Sequence, residues 1–165
     1  MVPALFDQRR NPFHDLRDAL TQARKEHKNV LVTIGGDWCI WCHRLEAFIR
    51  ANPELQALRD RYVLVNVFIS ESNAEINADF LTHVPELDGV PHLVVYNGHG
   101  YLLCSQPTDP LEDGDTYSYE RVRDFLETWS DWRRSIFDDL DTSELKQRFE
   151  QHLGPGKRNK LTLSA

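Results

Sequence analysis

What this chain lacks narrows the choices first. No apolar run approaches the roughly 20 residues of a membrane-spanning helix, so no integral membrane segment is expected. Basic residues are in deficit: 19 Lys and Arg stand against 26 Asp and Glu, a formal net charge of −7, which argues against a general nucleic-acid partner and favours solubility. No internal repeat or low-complexity block is visible. Cysteine is scarce, with Cys39, Cys42 and Cys104 the whole set, and there is no second Cys-x-x-Cys and no His-x-x-x-His. A structural zinc site, which wants four ligands, is therefore poorly supplied. Methionine occurs only at Met1, so a haem attached at Cys39-Ile40-Trp41-Cys42-His43 would lack a methionine ligand, although six of the 7 histidines lie elsewhere. An inert structural disulfide remains a third reading of the same pair.

What is present is the balance of a folded domain. At 165 residues, 41% hydrophobic and 27% charged, the chain is long enough to bury a core as one domain. Its most informative stretch is NVLVTIGGDWCIWCHRLEAF, Asn29 to Phe48. Val30 to Ile34 is a short apolar β-branched run and reads as a buried strand. Gly35 and Gly36 break it. From Cys42 onward Leu45, Phe48 and Ile49 recur at helical spacing, so a strand hands over to a helix with two cysteines at the junction. Residues three apart on a helix share a face, near enough for a disulfide. Cys39 falls at the helix N-terminus, where unpaired amides and the macrodipole stabilise a thiolate. A pKa lowered from about 8.5 to about 7 would raise the thiolate fraction at neutral pH roughly fifteenfold. Intrinsic nucleophilicity would fall by roughly fivefold, so the larger benefit is to Cys39 as a leaving group. Cys42, one turn in, should stay protonated until it resolves a mixed disulfide.

A strand followed by Trp38-Cys39-x-x-Cys42 and a helix resembles the active site of the thioredoxin superfamily. The longer string GDWCIWCHRL, Gly36 to Leu45, is similar to thioredoxin-like bacterial proteins related to periplasmic thiol reductases. Gly89-Val90-Pro91-His92 before the strand Leu93 to Tyr96 is a second landmark. The resemblance implies a cis proline at Pro91, lying against the cysteine pair, and a Val90 backbone that pairs with an extended substrate. It covers roughly Asn11 to Trp132. It implies an α/β fold, a central mixed β-sheet flanked by helices, and a thiol–disulfide oxidoreductase.

The rest of the chain is consistent with that order. Asn11-Pro12 starts a helix with Phe13, Leu16, Leu20 and Ala23 on one stripe. Asn52-Pro53 ends or kinks the helix that follows the cysteines. Tyr62 to Ile69 reads as another buried strand. Ser72-Asn73-Ala74-Glu75 has the capping-box pattern and should open a helix turning Ile76, Phe80 and Leu81 inward, ending near Pro85. Leu93 to Tyr96 and Tyr101 to Cys104 flank a Gly-rich turn and form a hairpin. A helix from Tyr119 puts Val122, Phe125, Leu126, Trp129 and Trp132 on one face. The polar segment Gln106 to Ser118 partly matches a calcium loop, but Leu111 and Tyr117 occupy ligand positions, and it reads as a solvated loop. The expected division is an N-terminal extension at 1–10, a thioredoxin-like domain at 11–135, an additional C-terminal helix at 136–153 and a flexible basic tail at 154–165.

Around the pair, Thr33 stands where many thioredoxins carry a buried acid. Trp38 is expected to shield the sulfur. Trp41 replaces the proline of the common CGPC sequence, and Asp37 and His43 are possible tuning groups. His92 either packs in its strand or approaches the site, and Cys104 reads as a buried thiol on a strand. The functional expectation is a disulfide reductase or isomerase with Cys39 as nucleophile, Cys42 as resolving thiol, and Val90, Pro91 and Trp38 positioning the substrate. It needs no metal or organic cofactor. Partners would be protein or small-molecule disulfides and an upstream thiol reductant. The rival is a redox-inert binding module of the same fold. Met1-Val2-Pro3-Ala4-Leu5 has neither a basic nor a long apolar signal region, so a native start there implies the cytoplasm, whereas the resemblance pulls toward the periplasm.

Overall fold

The Asn11 side chain accepts hydrogen bonds from the amides of Phe13 and His14 and opens helix α1, Pro12–Glu26, with proline in the first turn where its missing N–H costs nothing. The computed structural model describes residues 4–72 and 74–133. After α1 come β1 (Asn29–Gly35), α2 (Ile40–Ala51), α3 (Pro53–Arg59), β2 (Tyr62–Phe68) and the short α4 (Ala78–Leu81). They are followed by β3 (His92–Tyr96), β4 (Leu102–Pro107), a 3₁₀ turn (Asp109–Leu111), the two-residue strands β5 (Glu112–Asp113) and β6 (Thr116–Tyr117), and α5 (Tyr119–Trp129). No helix among the described residues is long and apolar enough to cross a membrane.

The sheet runs β2-β1-β3-β4, with β1 parallel to β2 and antiparallel to β3, and β4 antiparallel to β3. It is therefore mixed, as expected, and alternation along β1 feeds two cores. Val30, Val32 and Ile34 face α1 and α4 with Ala19, Ala23 and Phe80. Leu31 faces the layer of α2, α3 and α5, with Leu45, Ile49, Leu55, Phe125 and Leu126. Asn29, fully buried, donates both amide hydrogens, to the carbonyls of Trp129 (2.9 Å) and Asp131 (3.0 Å), and so ties the first residue of the central strand to the end of α5.

Several expectations are corrected. The strand beginning at Tyr62 is an edge strand rather than a buried one: it pairs only with β1, leaving Leu64 and Asn66 exposed. The helix after Ser72 shrinks to one turn, because the Glu75 carboxylate takes the amides of Ser70 and Asn77 and leaves Ile76 outside. Asn73 lies outside the described residues. Segment 106–118 is not a solvated loop, since Leu111, closing the 3₁₀ turn, and Tyr117, on the small hairpin that follows, are core residues. Trp132 falls past the end of α5 and stacks at 4.6 Å on His27. The additional helix at 136–153 and the tail also lie outside the described residues.

Candidate active site

Gly35 ends β1, and the turn Gly36-Asp37-Trp38 delivers Cys39 to the start of α2. Cys39 is the N-cap: its backbone is extended (φ −90°, ψ 113°) and its Sγ accepts the amide of Cys42 at 3.2 Å. The Cys39 amide donates to the Gly36 carbonyl at 3.0 Å. Across the site the Val90–Pro91 peptide is cis, and the Val90 carbonyl lies 3.6 Å from Cys39 Sγ, positioned to accept from the thiol. A strand end, a helix start and a proline loop some fifty residues on thus converge on one sulfur. Both thiols are free and buried.

Burial pushes the Cys42 thiol well up from its ordinary value, and its hydrogen bond with Cys39 adds to the rise. The folded chain therefore holds this proton more tightly than the unfolded one. That stabilisation is complete below the unfolded value of about 8.5 and is lost as pH rises above it. Reduced protein is accordingly expected to lose stability between about pH 8.5 and 10.5, at up to ~1.4 kcal/mol per pH unit more steeply than a Cys42→Ser variant. Denaturant titrations across that range check it. Tyr62 and Tyr117, also pushed up by burial, act with the same sign in both proteins and cancel.

Asp37 accepts the backbone amides of Leu5 (2.6 Å) and Phe6 (3.4 Å), anchoring the N-terminal segment. His43 folds back so that Nε2 meets the Asp37 carbonyl at 2.7 Å, bracing the turn. Trp38 is 43% exposed and donates from Nε1 to the Ile69 carbonyl. Trp41 lies between the Arg44 guanidinium, 4.5 Å from its ring, and the edge of Tyr117. His92 packs in its strand, with Nε2 2.7 Å from Ser105 Oγ, and burial pushes its imidazole down while Asp88 opposes this. Cys104 is half-buried opposite Val95 on β4. Among the described residues no three metal-ligating side chains come together.

Two contributors were missed. Phe6 is buried against Cys39 and Cys42, with Trp41, Phe68 and Val90 around them, so the cover over the pair comes from the N-terminal segment. The available signal was an apolar Ala4-Leu5-Phe6 step running up to the polar stretch Asp7 to Asn11. Glu46, one turn beyond Cys42, lines with Thr33, Asn66 and Arg59 a cavity of about 290 Å³ that reaches Cys42. Burial opposes its ionisation, but hydrogen bonds from Arg59 and Arg50 prevail and hold its carboxyl below the usual range. Its i, i+4 spacing from Cys42 was the sequence signal.

The thioredoxin-like family matches residues 11–98. The chain belongs to that family. Among proteins similar to this thioredoxin-like chain is the thiol:disulfide interchange protein DsbD of Tatumella citrea, 31% identical over 102 residues, or 56% of this chain and 17% of the relative. The same protein of Escherichia coli K12 is 25% identical over 104 residues, 63% of this chain and 18% of the relative. The chain thus matches under a fifth of these proteins' length. Among solved structures, a disulphide isomerase from Xylella fastidiosa Temecula1 superposes with a TM-score of 0.63 at 22% identity, over 78% of this chain and 98% of the other. The oxidised C-terminal domain of Neisseria meningitidis DsbD superposes with a TM-score of 0.51 at 19% identity, over 71% of this chain and 95% of the other. Both likenesses show the fold.

Proposed function

We propose that this chain is a thiol–disulfide oxidoreductase of the reductase or isomerase type. The Cys39 thiolate attacks one sulfur of a substrate disulfide, the substrate S–S bond breaks, and the departing thiolate takes a proton from water. Cys42 then loses its proton, attacks Cys39 Sγ and releases the second substrate thiol, leaving a Cys39–Cys42 disulfide. Two electrons have passed to the substrate, and an upstream dithiol must return them. In isomerase use, the freed substrate thiolate attacks another disulfide of the substrate, and the thiolate so released attacks the substrate sulfur of the mixed disulfide, forming a new substrate disulfide and returning the Cys39 thiolate.

The observation that carries this reading is the position of Cys39 Sγ, held between the Cys42 amide and the Val90 carbonyl. A helix N-terminus favours negative charge on that sulfur. Val90 and Pro91 supply a backbone edge on which an extended peptide can add as a strand. Trp38 and Ile40, 43% and 61% exposed, form an apolar rim suited to a polypeptide substrate. The relatives' name, thiol:disulfide interchange protein, points to the same chemistry.

Trapping tests it. A Cys42→Ser variant cannot resolve and is expected to accumulate a covalent adduct through Cys39 when mixed with a disulfide-bonded protein, visible by non-reducing electrophoresis and mass spectrometry. Absence of both the adduct and wild-type turnover would leave only the redox-inert binding module.

A further inference from the structure

We propose that segment 108–118 is a clamp that sets the spacing between the proline loop and the dithiol turn, with Thr108 and Tyr117 as positioning residues. The inference rests on the oxidoreductase reading and concerns residues beyond the stretch, 11–98, that matches the family.

The need for such a device follows from the topology. A substrate docks along Val90 and Pro91, which precede β3, while the attacking sulfur belongs to the first turn of α2. Neither lies within the sheet ladder, whose last β3 pair is His92 with Ile34 and Pro107. Their separation therefore has to be fixed by something else.

Two buried hydroxyls do so. Thr108, 4% exposed, donates from Oγ1 to the Pro91 carbonyl at 2.7 Å. Tyr117, 2% exposed, donates from its phenol to the Trp41 carbonyl at 3.3 Å, and its ring meets Trp41 edge-on at 5.4 Å. Trp41 is inside the Cys-x-x-Cys turn, so one end of the segment grips the loop that receives substrate and the other grips the turn that attacks. The piece between is stiff. The Leu111 amide donates to Thr108 (2.9 Å), the Ser118 amide donates to Leu111 (2.8 Å), and Glu112 pairs with Tyr117 across the hairpin. Leu111 and Tyr117 root it in the core beside Leu45 and Phe125. Gly114, at φ +64°, makes the left-handed turn that closes it. Burial keeps the phenol protonated, hence a donor, throughout the working pH range, and the Thr108 hydroxyl beside it only partly offsets that.

The test compares Thr108→Val, Thr108→Ser, Tyr117→Phe and the Val/Phe double variant. Each is assayed on an extended peptide disulfide and on hydroxyethyl disulfide, which is too small to pair along Val90. Thr108→Val is expected to raise KM for the peptide about five- to tenfold, with kcat and small-disulfide kinetics within about twofold, and Thr108→Ser to restore it. Tyr117→Phe is expected to lower kcat for both substrates by about the same factor. The double variant should lose less than the product of the two, as parts of one device do. Thr108→Val and Tyr117→Phe both within about twofold of wild type on the peptide, or Thr108→Ser as impaired as Thr108→Val in step with a fall in Tm, overturns the clamp. Wild-type protein that turns over neither substrate sinks the oxidoreductase reading as well, so the two failures are distinguishable.

Discussion

Cys39→Ser is expected to reduce turnover of any disulfide substrate to background while leaving the fold intact. Exchange needs a sulfur that can attack, bond and leave as an anion, and serine's hydroxyl does none of these near neutral pH. The substitution is a clean probe because Cys39 is also the N-cap of α2, accepting the Cys42 amide. Serine is among the preferred N-caps, so the helix keeps its terminating acceptor. Cys39→Ala should be equally inactive but less stable than the serine variant by about 1 kcal/mol, having lost the cap. Denaturant unfolding beside a disulfide-reduction assay separates the two effects. Activity retained in the serine variant would remove Cys39 from the mechanism.

Gly35→Ala should damage stability and the resolving step together. A Cβ there would stand 2.5 Å from Cys42 Sγ and 2.9 Å from Phe6 Cζ, both well inside contact distance. The obstacle is space rather than backbone conformation, because Gly35 lies in the β1 ladder opposite Phe68. Either Cys42 rotates off its position or the Phe6 ring is lifted. Overpacking of this kind costs about 1–3 kcal/mol, and a 2 kcal/mol loss lowers Tm by roughly 4–8 °C in a domain of this size. With Cys42 displaced, mixed disulfide should persist longer in stopped-flow exchange. Combining Gly35→Ala with Phe6→Ala should recover part of the stability, since the two clash directly, with a coupling on the order of 1 kcal/mol. Strict additivity would show that the ring is not what the new methyl meets.

The strand–turn–helix at Cys39 and the hairpin after Pro91 were legible because each is written in short-range pattern. Apart from Thr33, Val30 to Ile34 is apolar, Leu45 and Ile49 repeat at helical spacing, and Asn97 to Gly100 is a turn by composition. What stayed hidden depends on distance or competition. Phe6 meets Cys42 across more than thirty residues, and an apolar step near the N-terminus does not say which distant side chains it covers. A three-residue 3₁₀ turn and strands of two residues have no period, so Leu111 and Tyr117 looked like stray apolar residues in a polar loop. Ser72 to Glu75 matched a helix-opening pattern that Glu75 spends instead on Ser70. At Trp129 the spacing ran on to Trp132, but Ser130 turns its hydroxyl onto the Glu127 carbonyl where the helix ends.

The Asn29 amide carries one more consequence, for where this unit can be cut. Its two hydrogens end on carbonyls of residues 129 and 131, the second already past the last described helix. Trimming the chain back to Trp129 would leave one buried donor at the start of β1 unpaired, at a cost of about 1–3 kcal/mol. A fragment ending at Asp131 is therefore expected to be more stable than one ending at Trp129, a difference set by an asparagine a hundred residues upstream.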